Sequence, residues 1–112
     1  MGRKGFIGEF EQVVLLAALQ LKDNAHAPEI SRKLEEDAGR PVSRGALYST
    51  LDRLERKGLL EWRIDASSGD GDGQPKRRFR VTEEGIAALR ASRDMLLALW
   101  GGLDEVLGEP SS

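Results

Sequence analysis

The chain changes period at Gly58, and that change limits what it can fold into. Before it, Leu47, Leu51 and Leu54 recur at i, i+4 and i+7, which puts them on one helix face. After it, Leu60, Trp62 and Ile64 alternate with Glu61 and Arg63, the period-two pattern of a strand. A stretch rich in glycine, serine and aspartate, residues 67–73, then reads as a long hairpin loop. Residues 76–81 form a second strand, with Phe79 and Val81 turned inward and Arg78 and Arg80 outward. The expected class is therefore α+β, mainly α with one small β-hairpin.

The rest of the chain falls into helices. Residues 9–21 carry the run Val13-Val14-Leu15-Leu16-Ala17-Ala18-Leu19, apolar nearly all round, as expected of a helix buried on most sides. Lys22-Asp23-Asn24 breaks it. A second helix starts near Pro28, sets Ile30, Leu34 and Ala38 on one face, and ends at Gly39 and Pro41. Ser43 is placed to cap a third helix over residues 44–57, closed by Gly58. Thr82 is placed to cap a last one, whose first turn carries Glu83 and Glu84. Three helices, a hairpin and a long helix follow the order of a winged helix-turn-helix unit with an appended C-terminal helix, and residues 39–42 have the short, glycine-containing form of its turn.

Several classes of function are excluded or disfavoured. With 112 residues the chain has one domain's worth of core. It has no cysteine, which removes disulfides and thiolate metal sites, and its one histidine, His26, suits a helix start or the surface better than a metal ligand or catalytic base. No metal and no cofactor is expected. Asp70-Gly71-Asp72-Gly73 superficially suggests a calcium loop. Counted from Asp70, however, Pro75 stands where the turn glycine belongs and Val81 where the bidentate glutamate belongs. No nucleophile, base and orienter assemble into a catalytic set, so an enzyme is not expected. The longest apolar run is too short to cross a bilayer, and a cytoplasmic location with no membrane partner is expected.

The charge distribution says more than the net charge of −2. Residues 82–112 hold six acids and two bases, so the remainder of the chain is net positive. Within it Lys76, Arg77, Arg78 and Arg80 put four positive charges into five residues. A phosphate responds to charges within a Debye length of about 8–10 Å, not to the whole-chain sum, so a local basic stripe on a mildly acidic protein is compatible with nucleic acid.

Residues 43–59, with Ala46-Leu47-Tyr48, Leu51, Arg53-Leu54 and Lys57-Gly58-Leu59, resemble the recognition-helix signature of the PadR family of transcriptional regulators. Gly8-Glu9-Phe10-Glu11-Gln12 and the run from Gly73 through Val81-Thr82-Glu83-Glu84-Gly85 are similar to it as well. The chain departs from the pattern at Ser49, where the family often has proline, and at His26-Ala27, where it often has Tyr-Gly. The short tail resembles the subgroup with a single C-terminal dimerising helix. The resemblance implies a homodimeric repressor that binds double-stranded DNA and is released by a small-molecule inducer or another signal.

The organisation expected is a loose arm over residues 1–8, a winged helix-turn-helix over 9–81, a dimerisation helix over 82–107 and a disordered tail over 108–112. The groove face of the third helix carries Gly45, Ser49, Asp52, Arg53 and Arg56, with Tyr48 on its flank. Arg44, Tyr48 and Ser49 are the candidates nearest the base edges, Arg44 bidentate to a guanine, with Ser43 beside them at the DNA surface and Gly45 allowing close approach. The alternative is that Ser43 is only a cap and Tyr48 a core aromatic. Arg53 and Arg56 are placed to hold phosphates, as are Lys76, Arg77 and Arg78 on the wing and Arg3 and Lys4 in the arm. In the last helix Ile86, Leu89, Arg93, Leu96, Trp100, Leu103 and Leu107 recur at 3,4 spacing, a coiled-coil-like seam whose dimer contacts would be Leu89, Leu96, Trp100 and Leu103. Gly101-Gly102 is expected to stop or kink that helix at Trp100. Trp100 near a dyad would place two indoles face to face, similar to the aromatic sandwich some members of the subgroup use for flat, hydrophobic ligands. The acidic total and Asp52 on the groove face leave one alternative, a winged-helix protein-interaction module that does not bind DNA.

Overall fold

The computed structural model describes residues 7–65 and 75–108. The arm up to residue 6, the glycine- and aspartate-rich loop over residues 66–74 and the last four residues lie outside them. In chain order the elements are α1 (Glu9–Leu21), α2 (Ala27–Ala38), α3 (Arg44–Arg56), β1 (Leu60–Asp65), β2 (Lys76–Val81), α4 (Glu83–Trp100) and α5 (Asp104–Leu107). A one-turn 3-10 segment, Lys22–Asn24, follows α1.

The helix boundaries fall where the local chemistry places them. Ser43 caps α3 by accepting the Ala46 amide at 3.1 Å, and Gly39 ends α2 in the left-handed conformation, φ 61°. Thr82 binds in two directions. Its hydroxyl accepts the Gly85 amide at 3.0 Å and donates to the Gly58 carbonyl at 2.7 Å, so one side chain caps α4 and ties it to the end of α3. Gly101 closes α4 directly after Trp100, as the glycine pair leads one to expect.

One core holds these elements together. Val14, Leu15 and Ala18 of α1, Ile30 and Leu34 of α2, and Leu47, Leu51 and Leu54 of α3 meet Leu59, Leu60, Phe79, Val81, Ala88 and Leu89. The hairpin is antiparallel, with Leu60 opposite Val81 and Trp62 opposite Phe79. It runs out past the core, so the inward alternation of β1 ends in water: Leu60 is buried, whereas Ile64 is 55% exposed. On the other edge of β2, His26 forms an isolated bridge to Arg78 and the Phe79 amide donates to the Ala25 carbonyl at 2.8 Å. The link before α2 thus acts as a third, one-residue strand, too short for any periodicity to announce it.

Two expectations are refined here. His26 stands at a helix start as expected, at the N-cap position of α2, but is buried rather than superficial, and its ring nitrogens face Asp65 at 3.2 Å and Glu29 at 3.6 Å. Helix α1 is buried on most sides, but its apolar run is not covered all round. Its core contacts are with α2, α3, α4 and the hairpin strand β2, which leaves Leu16 and Leu19 exposed.

Candidate nucleic-acid interface

Helix α3 turns one apolar stripe inward and a polar face outward. Leu47, Thr50, Leu51 and Leu54 are buried, while Ser43, Arg44, Gly45, Ser49, Asp52, Arg53 and Arg56 are exposed. A side chain added at Gly45 would meet nothing within 4 Å, so the first turn presents bare backbone to whatever approaches it. Tyr48 is half-buried on the flank, packed against the core.

The basic residues divide into those held by an acid and those left free. Arg53 donates through Nε to Glu11 at 2.9 Å, and Lys57 reaches the same carboxylate at 2.9 Å. Glu11, on α1, is buried, and also accepts the Gly8 amide at 2.9 Å. Burial pushes its pKa up, but the Gly8 amide, Lys57 and Arg53 together outweigh that and hold the carboxylate below its ordinary value. Arg53, expected on a phosphate, is paired with Glu11 in the protomer and links α3 to α1, with its side chain still 44% exposed. On the hairpin Arg78 lies 3.9 Å from Asp65 and Arg80 pairs with Glu61. Among the described residues Arg44, Arg56, Lys76 and Arg77 have no hydrogen bond or ion pair with any acid.

Arg77 has a different kind of environment. Its strand position turns it to the same side as Phe79, and its guanidinium carbon lies 5.0 Å from the Trp62 ring centroid and 5.6 Å from those of Tyr48 and Phe79. These are cation–π distances, and the rings come from α3 and from both strands. Arg44, Tyr48, Lys76 and Arg77 converge on one cleft of about 300 Å³, shared with His26, Ala27, Pro28, Pro75 and Phe79.

The C-terminal residues separate in the same way. Leu89 is buried in its own chain's core, which removes it from the free seam, and Ser92 is the last buried residue among those described. Leu96, Trp100 and Leu103 remain exposed, and so do Met95, Leu97, Leu99, Val106 and Leu107. No described group of three or more histidines and carboxylates could hold a metal ion, and no described helix is long and apolar enough to cross a membrane.

Sequence reasoning missed Glu11 and Gly85. A Cβ on Gly85 would lie 2.3 Å from the Leu59 carbonyl oxygen and 2.6 Å from Val81, so α4 packs directly on backbone at that point. The opening of α1, Glu9-Phe10-Glu11-Gln12, is mostly polar, and nothing in that pattern marks Glu11 as the buried acid of the two. Nothing short of the tertiary packing reveals Gly85 either.

Three helices, a hairpin packed on the third of them and an outward polar face on that helix define a winged helix-turn-helix protein. Residues 15–91 match the model of the "Transcriptional regulator PadR-like family". The "Transcriptional regulator Rv3488" of Mycobacterium tuberculosis is 38% identical over 91 residues, which are 80% of this chain and 76% of that protein. A PadR-like transcription factor from Bacteroides fragilis is 30% identical, with TM-score 0.61 over 95% of this chain and 90% of that one. A PadR family transcriptional regulator from Eggerthella lenta is also 30% identical, with TM-score 0.65 over 88% and 86%. The chain belongs to the PadR-like family of transcriptional regulators, whose members are regulators of transcription and not enzymes.

Proposed function

We propose that this protein is a sequence-specific repressor that binds an inverted-repeat operator as a homodimer, in the cytoplasm. The observation that carries the reading is the outward face of α3, with Ser43, Arg44, Gly45, Ser49 and Arg56 free of the core beside a strand bearing Lys76, Arg77 and Arg78. A helix of this size fits a major groove about 12 Å wide, and the strand beside it reaches phosphates or the minor groove. Ser49 and the backbone at Gly45 stand closest to base edges, and Arg56 and Arg78 follow the backbone. The apolar surface at the end of α4 and just beyond it supports the homodimer, because Leu96, Trp100 and Leu103 lie in water in the single protomer. A flat, apolar inducer seated between two Trp100 indoles would alter the spacing of the two α3 helices and so weaken binding without touching the DNA surface.

Selection of bound fragments from random duplex DNA tests this directly. The expected product is a palindromic consensus whose half-sites lie about 34–36 Å apart, bound with an affinity that falls steeply with salt. Recovery of no consensus, with no salt-dependent binding to any duplex, refutes it.

A further inference from the structure

The cleft between α3 and the hairpin has an unusual charge inventory. Among the described residues Arg44, Lys76 and Arg77 line it, no carboxylate does, none of the three is paired with an acid, and the nearest acids, Asp65 and Glu29, are taken up by the His26 ring in the same wall. Several cations elsewhere sit with acids, Lys33 with Asp37, Arg40 with Glu9, Arg53 and Lys57 with Glu11, Arg80 with Glu61, and others such as Arg56 and Arg63 stand singly among the described residues. Here three without an acid partner converge on one concavity. The larger cleft, of about 450 Å³ beside Lys22, includes Asp23 and Glu61 in its wall. Three uncompensated positive charges around one concavity repel each other, and an anion in the middle relieves that.

Arg77 is also oriented. Three rings surround its guanidinium, which leaves its N–H edges without partners while its side chain is held in place. An arginine fixed by stacking loses less rotamer freedom on binding than one free in water, and its planar fork suits phosphate oxygens. One of the rings, Tyr48, belongs to α3, so the donor's position depends on the helix and the hairpin together.

We infer that this cleft holds one phosphate group, a phosphodiester of bound DNA, with Arg77 as its fixed bidentate donor and Arg44 and Lys76 as flanking charges. Arg44 then serves the backbone rather than a guanine. Tyr48 is a positioning residue that acts through Arg77 rather than a reader of bases. The inference rests on the DNA-binding reading and specifies one contact within it.

The test compares Arg77→Ala, Tyr48→Leu, Tyr48→Phe and the Arg77→Ala/Tyr48→Leu double variant on the selected operator and on random duplex. Thermal unfolding confirms that each is folded at the assay temperature. Arg77→Ala should weaken both DNAs by about tenfold or more, the usual weight of a charge-assisted hydrogen bond, and lower the salt slope by about 0.9. Tyr48→Phe keeps the ring and should bind as the parent does. Tyr48→Leu should weaken both DNAs alike, and the double variant should bind no worse than Arg77→Ala alone. Additive losses, a loss confined to the operator, or a defect in Tyr48→Phe would overturn the positioning role. An unchanged salt slope in Arg77→Ala would overturn the phosphate site. If the parent protein binds no duplex, the DNA reading itself fails. The cleft is then judged with pyrophosphate, followed by Trp62 fluorescence in a Trp100→Phe background. Saturable quenching abolished by Arg77→Ala upholds a phosphate site served by a free anion, and no quenching overturns it.

Discussion

Glu11 shows how much one side chain can settle. A buried carboxylate is tolerable because the Gly8 amide, Arg53 and Lys57 all meet it, and those partners join the start of α1 to the C-terminal end of α3. Its pKa is held below the ordinary value of 4.5. A depressed folded pKa means the unfolded chain takes up its proton first as pH falls. The stabilisation is therefore present above about pH 4.5 and lost as pH drops through the lower folded value. Glu11→Gln should cost roughly 2 kcal/mol at neutral pH, below the ~3–5 for breaking a fully buried pair because both cations are half-exposed. Thermal melts from pH 7 down to 3 should show the gap between variant and parent closing below pH 4.5; a constant gap would show that the charge contributes nothing. Gly85 is the steric counterpart. Gly85→Ala forces a Cβ to 2.3 Å from the Leu59 carbonyl. Overpacking of this kind costs about 1–3 kcal/mol, read as a lower melting temperature with secondary structure unchanged.

At the scale of elements, Thr82 is the hinge pin of the hairpin and α4. Thr82→Ala removes a helix cap and frees the Gly58 carbonyl in a single change. A cap alone is worth about 1 kcal/mol and the bond to Gly58 about as much again, so a loss of about 2 kcal/mol in denaturant unfolding is expected, and a loss of only about 1 kcal/mol would mean that the bond to Gly58 carries no weight. The elements themselves were largely legible in the sequence. The stripe of Leu47, Leu51 and Leu54, the caps Ser43 and Thr82 and the stops at Gly58 and Gly101 are local signals, and they mark the helices where the structure has them. What was not legible depends on which elements meet. Arg53 and Arg56 look alike in sequence, but only Arg53 lies within reach of Glu11, 42 residues away. Leu89 and Leu96 look alike on the α4 stripe, but the core reaches only as far as Ser92. The run of apolar residues in α1 conceals two faces, because periodicity cannot separate a side packed on this chain from one left for another.

The whole molecule measures 53 × 35 × 23 Å, long for its size because the end of α4 extends beyond the core. The exposed leucines of that end and Leu16 and Leu19 of α1 form apolar surface that a single protomer leaves in water. In the proposed dimer a charge at Leu96 meets its own copy or an apolar partner, so Leu96→Asp should give a folded monomer with much weaker operator binding. Light scattering at micromolar concentration reads the mass, and circular dichroism confirms the fold. A variant that stays dimeric would move the interface elsewhere, and a parent protein that is monomeric yet binds a palindrome tightly would remove it altogether.

Every described residue after Ser92 is exposed in the protomer, and that has a consequence for lineages in which such a chain is duplicated. Substitutions beyond that point remove nothing from the core, so they leave protomer folding nearly untouched and, in the proposed homodimer, bear on association alone. Two copies in one cell can then drift apart in whom they join while keeping the same fold and the same helix facing DNA. Paralogues of this chain should accordingly differ most in their last twenty residues, and mixing two of them should give separate assemblies rather than hybrids.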